Sequence, residues 1–322
     1  MIRRQPSRAL VILAFAAIYV LWGSTYLAIR YAIDTLPPFL MAASRFLIAG
    51  TILFAWAALK GERIRYALRQ WPKALVIGAL LLLGGNGGVT WAEKYIATSL
   101  AALLVAAEPL WVVMLNWGFT RQRPNSKVLL GVLVGLAGVA LLVSDGLTSV
   151  QARSRMNVIS AVVVLFAGFC WAAGSVIANR SPIKASTSMA SGMQMLAGGL
   201  LLLVVAIGVG DIKRLSLAHA SWLSIGAVCY LIVFGSLVAF TAYSWLLRNV
   251  TPASAATYAY VNPVVAVFLG WFLAGEPITS RMLVAAAVIV GSVVLITTYG
   301  REHTPTAPNS IHDSDCPTHP CA

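Results

Sequence analysis

The stretch 101–117, AALLVAAEPLWVVMLNW, returns 154 residues later as 255–271, AATYAYVNPVVAVFLGW. The match runs without a gap from Thr90–Leu141 onto Ser244–Leu295, and it pairs prolines with prolines and tryptophans with tryptophans. Such self-similarity at a fixed distance indicates an internal duplication. Each copy holds five hydrophobic segments, and an odd number makes the second copy cross a bilayer in the opposite sense to the first. The sequence therefore predicts inverted repeats, which are typical of secondary transporters.

The composition supports a membrane protein, because 59% of the 322 residues are hydrophobic and only 10% are charged. Ten apolar stretches approach the length of about 20 residues that a spanning helix needs. They are continuously apolar instead of alternating, which favours helices over a barrel. The predicted spans 1 to 10 are 9–29, 38–59, 73–92, 99–119, 127–144, 157–178, 187–207, 220–246, 253–273 and 281–299.

The predicted fold is an all-α integral membrane protein with ten transmembrane helices. We expect two inverted five-helix repeats around a central cavity, with spans 1–5 in residues 1–150 and spans 6–10 in residues 151–300. The polar segment 301–322 has a composition that cannot bury a core, so it is predicted to be a disordered tail.

The net charge of +13 is explained by topology. With a cytoplasmic N-terminus, the inside segments carry 15 Lys and Arg and the outside loops carry seven. The positive-inside rule therefore predicts that both termini are cytoplasmic, and the basic charge requires no nucleic acid as a partner. The second half has four such residues inside and five outside, so its orientation is inherited from the first half.

Two charged residues, Arg45 in span 2 and Glu108 in span 4, lie deep inside predicted spans. A charge at the bilayer centre costs about 2.5–3.5 kcal/mol on insertion scales, so each residue is a functional candidate. Two interpretations are open. Arg45 is either the structural charge partner of Glu108, or Glu108 faces the pathway and binds a substrate amine or a proton, which makes it the candidate for coupling.

The duplication sets Glu108-Pro109 opposite Asn262-Pro263, so each copy has a polar side chain beside a helix-distorting proline. Tyr258 lies one turn before Asn262 on the same face. Paired sites of this kind near the middle of the membrane are where repeat transporters bind substrate. The alternative is that both prolines are kinks required for packing.

Spans 3 and 1 add two candidates. The run Gly84–Gly88 surrounds Asn86 and either weakens the helix or lets another backbone pack closely; Asn86 either lines a cavity or bonds to a neighbouring helix. Trp22 in span 1 is too deep for an interfacial anchor, which favours a place on the cavity wall. The residues predicted to bind substrate are Trp22, Asn86, Glu108, Tyr258 and Asn262.

Other classes of protein fit less well. The four histidines lie in loops or the tail, and the aspartates lie outside the span cores, so no intramembrane protease is predicted. The cluster Cys316-x-x-His319-x-Cys321 lacks a fourth ligand at a usual spacing, so no metal and no cofactor are expected. A facilitative uptake carrier or a channel-like permease is the alternative to an exporter.

Several motifs together resemble one family. They are WGSTY at 22–26, RFL at 45–47, GNG at 85–87, YAYVNPV at 258–264 and GEP at 275–277. The chain is similar to the EamA family of the drug/metabolite transporter superfamily, most closely to its YedA-like members. The family pattern more often has an uncharged residue before the first proline, so Glu108 is a departure from it.

The resemblance implies a ten-helix protein of the bacterial inner membrane, with a central cavity lined by spans 1, 3, 4, 6, 8 and 9. It implies export of small metabolites or amino acids, or of amphipathic drugs. The expected partners are a small-molecule substrate and the lipid bilayer. The substrate, the driving ion and the oligomeric state stay open at this point.

Overall fold

The computed structural model describes residues 7–62, 64, 69–96, 98–121, 123–143, 155–216, 219–274 and 279–299. Within these ranges the regular structure is entirely helical. Three sequence predictions lie outside the described residues: the disordered tail 301–322 with its Cys316/His319/Cys321 cluster, the GEP motif at 275–277, and the boundary between the repeats at 150/151.

Thirteen helices follow one another in the described part of the chain. They are α1 (Arg8–Thr35), α2 (Pro38–Leu59), α3 (Trp71–Ala92), α4 (Thr98–Val105), α5 (Glu108–Thr120), α6 (Ser126–Val143), α7 (Arg155–Arg180), α8 (Thr187–Gly208), α9 (Asp211–Arg214), α10 (Trp222–Asn249), α11 (Pro252–Ala255), α12 (Tyr258–Ala274) and α13 (Ser280–Tyr299). Side chains cap several of them: the hydroxyl oxygens of Ser7 and Ser186 accept from backbone N–H groups in the first turns of α1 and α8.

Eight helical spans in the described residues are long and apolar enough to cross a membrane. They are α1, α2, α3, the stretch Leu100–Thr120 that joins α4 to α5, α7, α8, α10 and α13. Predicted span 5 is helical as α6, whose apolar part Ser126–Leu141 is shorter, and predicted span 9 is helical as α11 and α12. The described chain is thus an all-helical protein with eight candidate membrane spans.

Both proline-containing spans are interrupted, but at different distances from the proline. In the first copy the interruption is at Ala106-Ala107, so Pro109 sits in the first turn of α5, where its missing N–H is not needed. In the second copy it is at Ala256-Thr257, and Pro263 lies inside α12. The sequence predicted a distortion at each proline; the structure instead puts the second interruption more than one turn before Pro263.

Two helices contain a π-helical segment, which is a wider turn with i→i+5 hydrogen bonds. One is Ala79–Gly87 in α3, which includes most of the glycine run around Asn86. The other is Leu231–Phe240 in α10. A Cβ atom added at Gly85 would lie 2.8 Å from the Trp171 ring, so the glycine run both leaves regular α-helix and admits α7 at close range.

Backbone-to-backbone contact joins α2 to α8. A Cβ atom added at Gly192 would lie 2.8 Å from the backbone nitrogen of Phe54, and one added at Gly50 would lie 2.9 Å from that of Leu196. Helices in lipid associate largely through such close packing of small residues. A glycine face of α6 packs in a similar way, because Gly131, Gly135 and Gly138 meet side chains of α13.

The substitution Gly192→Ala is expected to destabilise the protein, because the new methyl group meets backbone atoms that have no rotamer to change. Overpacking of this kind costs about 1–3 kcal/mol. The matched control is Gly208→Ala at the end of the same helix, where an added Cβ meets nothing within 4 Å. The unfolding temperature in detergent should fall for Gly192→Ala alone; equal temperatures for the two variants would contradict the close contact.

Candidate functional site

A single cavity draws together residues from both halves of the chain. It has about 640 Å³ of empty space, counted with its open mouth, and lies among α1, α2, α3, α4, α5, α7, α10 and α12. All five residues that the sequence predicted to bind substrate line it: Trp22, Asn86, Glu108, Tyr258 and Asn262. Arg45 lines the same cavity.

Glu108 joins the two interrupted spans. It is the first residue of α5 and is 1% exposed. The hydroxyl of Tyr258, the first residue of α12, donates a hydrogen bond to its Oε2. Its Oε1 has no hydrogen-bond partner among the described residues. The start of a helix stabilises negative charge, so α5 offsets part of the cost of burying this carboxylate and leaves one oxygen available.

Asn262 presents a second unsatisfied polar group. It lies one turn beyond Tyr258 on α12, and its side chain is 1% exposed. The Tyr26 hydroxyl of α1 lies beside the amide, yet neither Nδ2 nor Oδ1 completes a hydrogen bond within the described structure. Buried polar groups normally have partners. The carboxamide is therefore available to a solute in the cavity.

Aromatic rings form the wall around Trp22. The Trp22 ring centroid lies 4.7 Å from that of Tyr258, 5.0 Å from Tyr243 and 5.5 Å from Trp171. The Trp22 indole N–H donates to the Gly235 carbonyl at 3.1 Å, which fixes the ring. Tilted and edge-on rings of this kind offer apolar surface together with π-faces that attract cations.

The sequence did not propose Trp171, Tyr243 or Tyr26 as site residues. Trp171 and Tyr243 are joined by a hydrogen bond of 3.1 Å, and Ser175 lies 2.6 Å from the same Tyr243 hydroxyl. The sequence does contain a signal for Trp171. It begins the stretch WAAGS, whose Gly174-Ser175 pair resembles Gly23-Ser24 of span 1.

Arg45 is buried but is not paired with Glu108. Its Nε donates to the Ser236 hydroxyl at 2.8 Å, and its guanidinium carbon lies 4.6 Å from the centre of the Phe46 ring. In the described part of the chain the ion pair within 4 Å is that of Arg214 with Asp211, so the Arg45–Glu108 pair is not formed. Nη1 of Arg45 has no hydrogen-bond partner there.

Asn86, Thr90 and Glu93 follow one another at helical spacing along and just beyond α3, and of these three only Asn86 lines the cavity. Thr90 donates to Asn86 and is fully buried. Glu93, just beyond α3, is buried, and its backbone carbonyl accepts from Arg30 at 2.9 Å. In the described part of the chain, no group of three or more His, Cys, Asp or Glu side chains could hold a metal ion.

An all-helical membrane chain whose two halves share one polar and aromatic cavity has the architecture of a solute transporter. The comparison with known families agrees. The EamA-like transporter family matches this chain twice, over residues 9–144 and 158–298. The chain therefore belongs to the EamA-like transporter family.

Relatives from bacteria and archaea carry the names of transporters. The uncharacterized inner membrane transporter YedA of Escherichia coli strain K12 is 39% identical over 285 residues, which are 88% of this chain and 89% of YedA. An uncharacterized transporter of Archaeoglobus fulgidus is 24% identical over 288 residues, which are 88% of this chain and 96% of the relative. One crystal structure matches 92% of this chain and all of its own, with a TM-score of 0.74 at 23% identity, which supports the fold alone.

Proposed function

We propose that the protein is a secondary transporter that exports a small metabolite, an amino acid or an amphipathic drug across the bacterial inner membrane by alternating access. The observation that carries the proposal is the shared cavity, in which Glu108 of the first half and Asn262 of the second each have polar atoms without a partner among the described residues. Unsatisfied groups in a buried cavity favour a solute that satisfies them.

We further propose ten spans in two inverted repeats, residues 1–150 and 151–300, with both termini in the cytoplasm. Similar irregularities support the repeat: α3 and α10 each contain a π-helical segment, and each copy has an interrupted span, although the interruptions lie at different distances from the proline. The packing is also reciprocal, because α1 contacts α10 and α12 of the other half, while α7 contacts α3 and α5. A pseudo-two-fold axis relates such pairs.

In this proposed orientation we infer that the conformation faces outward. Three residues of the cavity lining, Ile29, Val89 and Val105, lie towards the ends of their spans that are on the outer side in this orientation. Polar contacts bridge the cytoplasmic side instead. Tyr19 lies 2.7 Å from the Thr257 hydroxyl, and Ser175 lies 2.6 Å from the Tyr243 hydroxyl. The inward-facing state requires these contacts to break, which gives alternating access a defined set of bonds to exchange.

Glu108 is the proposed contact for a positively charged group or a proton. The carboxylate keeps Oε1 available because Tyr258 occupies only Oε2. The aromatic wall at Trp22 adds surface that favours a cation or an apolar body. A buried carboxylate without an ion pair is costly in lipid, and a bound cation or proton removes that cost.

The site is tested by accessibility of introduced cysteines, in a background from which all four native cysteines, Cys170, Cys229, Cys316 and Cys321, have been removed. Cysteines at positions 22, 86, 108, 258 and 262 should each react with a small water-soluble thiol reagent. A substrate, first identified by the resistance of overexpressing cells to toxic solutes and confirmed by counterflow in liposomes, should slow the reaction. The control is Val132→Cys, a buried position of α6 that belongs to a hydrophobic cluster with residues of α13. If Glu108→Cys and Asn262→Cys react no faster than this control, the pathway lies elsewhere.

A further inference from the structure

Arg45 carries a buried charge that its surroundings do not neutralise. Its side chain is 3% exposed and lines the cavity. No carboxylate of the described residues lies within ion-pair distance of it. A buried charge without an ionic partner is strongly unfavourable in a membrane. An unpaired guanidinium at this depth is therefore a candidate for a functional group.

The local structure holds this guanidinium in one orientation and leaves one side of it available. The Ser236 hydroxyl accepts from Nε, and the Phe46 ring supports the guanidinium plane. Gly235 leaves room for the group, because a Cβ added there would lie 3.1 Å from Nη2. Nη1 of this cavity-lining residue is buried and lacks a hydrogen-bond partner within the described chain.

We propose that Arg45, held by Ser236, is an anion-binding subsite that takes the carboxylate of a zwitterionic solute whose ammonium group is bound by Glu108. This inference rests on the proposed transport function and specifies its substrate class. Planar guanidinium groups bind carboxylates through strong charge-assisted hydrogen bonds. The apolar body of the solute then packs on the aromatic wall around Trp22.

Arg45 and Glu108, the two charged residues that line the cavity, together decide the class of solute. A simple cation would satisfy Glu108 but leave the guanidinium of Arg45 unpaired, and a simple anion would do the reverse. A solute with both charges satisfies both groups, and discrimination arises because the wrong solute leaves a buried charge without a partner. Small zwitterions with an apolar side chain, such as apolar L-amino acids, have this pattern of charges.

The test measures counterflow in proteoliposomes with apolar L-amino acids and with the amide of each, which keeps the ammonium group and removes the carboxylate. The wild-type protein should prefer the acids by about tenfold or more, the value of one charged hydrogen bond. Arg45→Gln should abolish this preference while the amides are still exchanged. Arg45→Lys, which keeps the charge, should restore part of it.

Two further variants separate binding from structure. When Leu47–Gly50 of α2 is aligned with Leu196–Gly199 of α8, Gln194 takes the position of Arg45, and it lies outside the cavity lining. Gln194→Ala should therefore keep the preference for acids. Ser236→Ala removes the bond that orients Arg45 and should weaken the preference, so it also serves if Arg45→Gln does not fold.

The outcomes are distinct. A folded Arg45→Gln protein that loses acids and amides equally would overturn the anion subsite, because that result marks a structural role. Exchange of amides by the wild-type protein without a preference for acids would overturn it as well, while the proposed transport function would stand. Exchange of neither class would count against the proposed substrates of the transporter and against the subsite together.

Discussion

Glu108→Gln is expected to reduce transport of an ammonium-bearing substrate by about ten- to hundredfold. A hydrogen bond to a charged group contributes about 1.5–3 kcal/mol, which corresponds to this range. Glutamine has nearly the same shape and can still accept from Tyr258, so the substitution removes the charge and leaves the packing around Glu108 largely intact. The measurement is initial uptake into proteoliposomes together with the unfolding temperature of the variant.

Two assays on the same variant separate the roles of the carboxylate. If Glu108 binds the ammonium group, pH-gradient-driven transport and substrate counterflow should both fall. If Glu108 carries the coupling proton, gradient-driven transport should be lost while counterflow persists, because exchange of substrate for substrate needs no net proton movement. Transport at the wild-type rate with an unchanged pH profile would exclude both roles.

The matched control is Glu93→Gln, because the chain offers a second carboxylate that is buried to the same degree. Glu93 is 0% exposed and lies just beyond α3, outside the lining of the cavity. The general cost of altering a buried carboxylate is therefore shared by the two variants, whereas the loss of a substrate contact is expected for Glu108 alone. Equal losses in both would indicate a common structural cause.

Much of the candidate site could be predicted from the duplication. The shift by 154 residues sets Glu108 against Asn262, and in the inverted repeats that we propose, residues at matching depth converge at the pseudo-two-fold axis. Trp22 and Asn86 were predicted to line the cavity because an indole or an amide deep in a membrane span is unfavourable against lipid. The structure brings all of these residues to one cavity.

The partners of these residues could not be predicted in the same way. Helical periodicity assigns a residue to a face of its own helix, but it does not say which neighbouring helix that face meets. For Arg45 the sequence offered Glu108 as a buried opposite charge, whereas the structure gives it the hydroxyl of Ser236, a single polar group in an apolar run. The bond from Tyr258 to Glu108 crosses 150 residues and depends on the same tertiary packing.

The positions of the two interruptions also depended on context. A proline removes one backbone donor. The helix is interrupted where neighbouring helices can satisfy the backbone groups that the interruption leaves unpaired. In the first copy it falls next to Glu108, which becomes the first residue of a helix. In the second copy it falls before Tyr258, and Pro263 lies inside α12. The helix after the interruption therefore begins at Glu108 in the first copy and at Tyr258 in the second.

Reporter fusions are expected to alternate strictly between the two sides of the membrane. Fusions after residues 66, 123, 183, 249 and 305 should report the cytoplasm, and fusions after residues 35, 95, 150, 212 and 277 should report the periplasm. The excess of Lys and Arg in the inside segments of the first half is the physical reason. A fluorescent protein that matures in the cytoplasm and a phosphatase that is active only in the periplasm give opposite signals at each site.

The decisive fusions bracket α6 and α12, which are not among the eight long apolar spans of the described chain. If the fusions after 123 and 150 report the same side, α6 does not cross, and the two copies then enter the membrane in the same sense. Glu108 and Asn262 would then lack the inverted relation that we propose for them. Opposite signals across both α6 and α12 are therefore required, because one cavity built from both copies by a pseudo-two-fold axis needs an odd number of crossings in each.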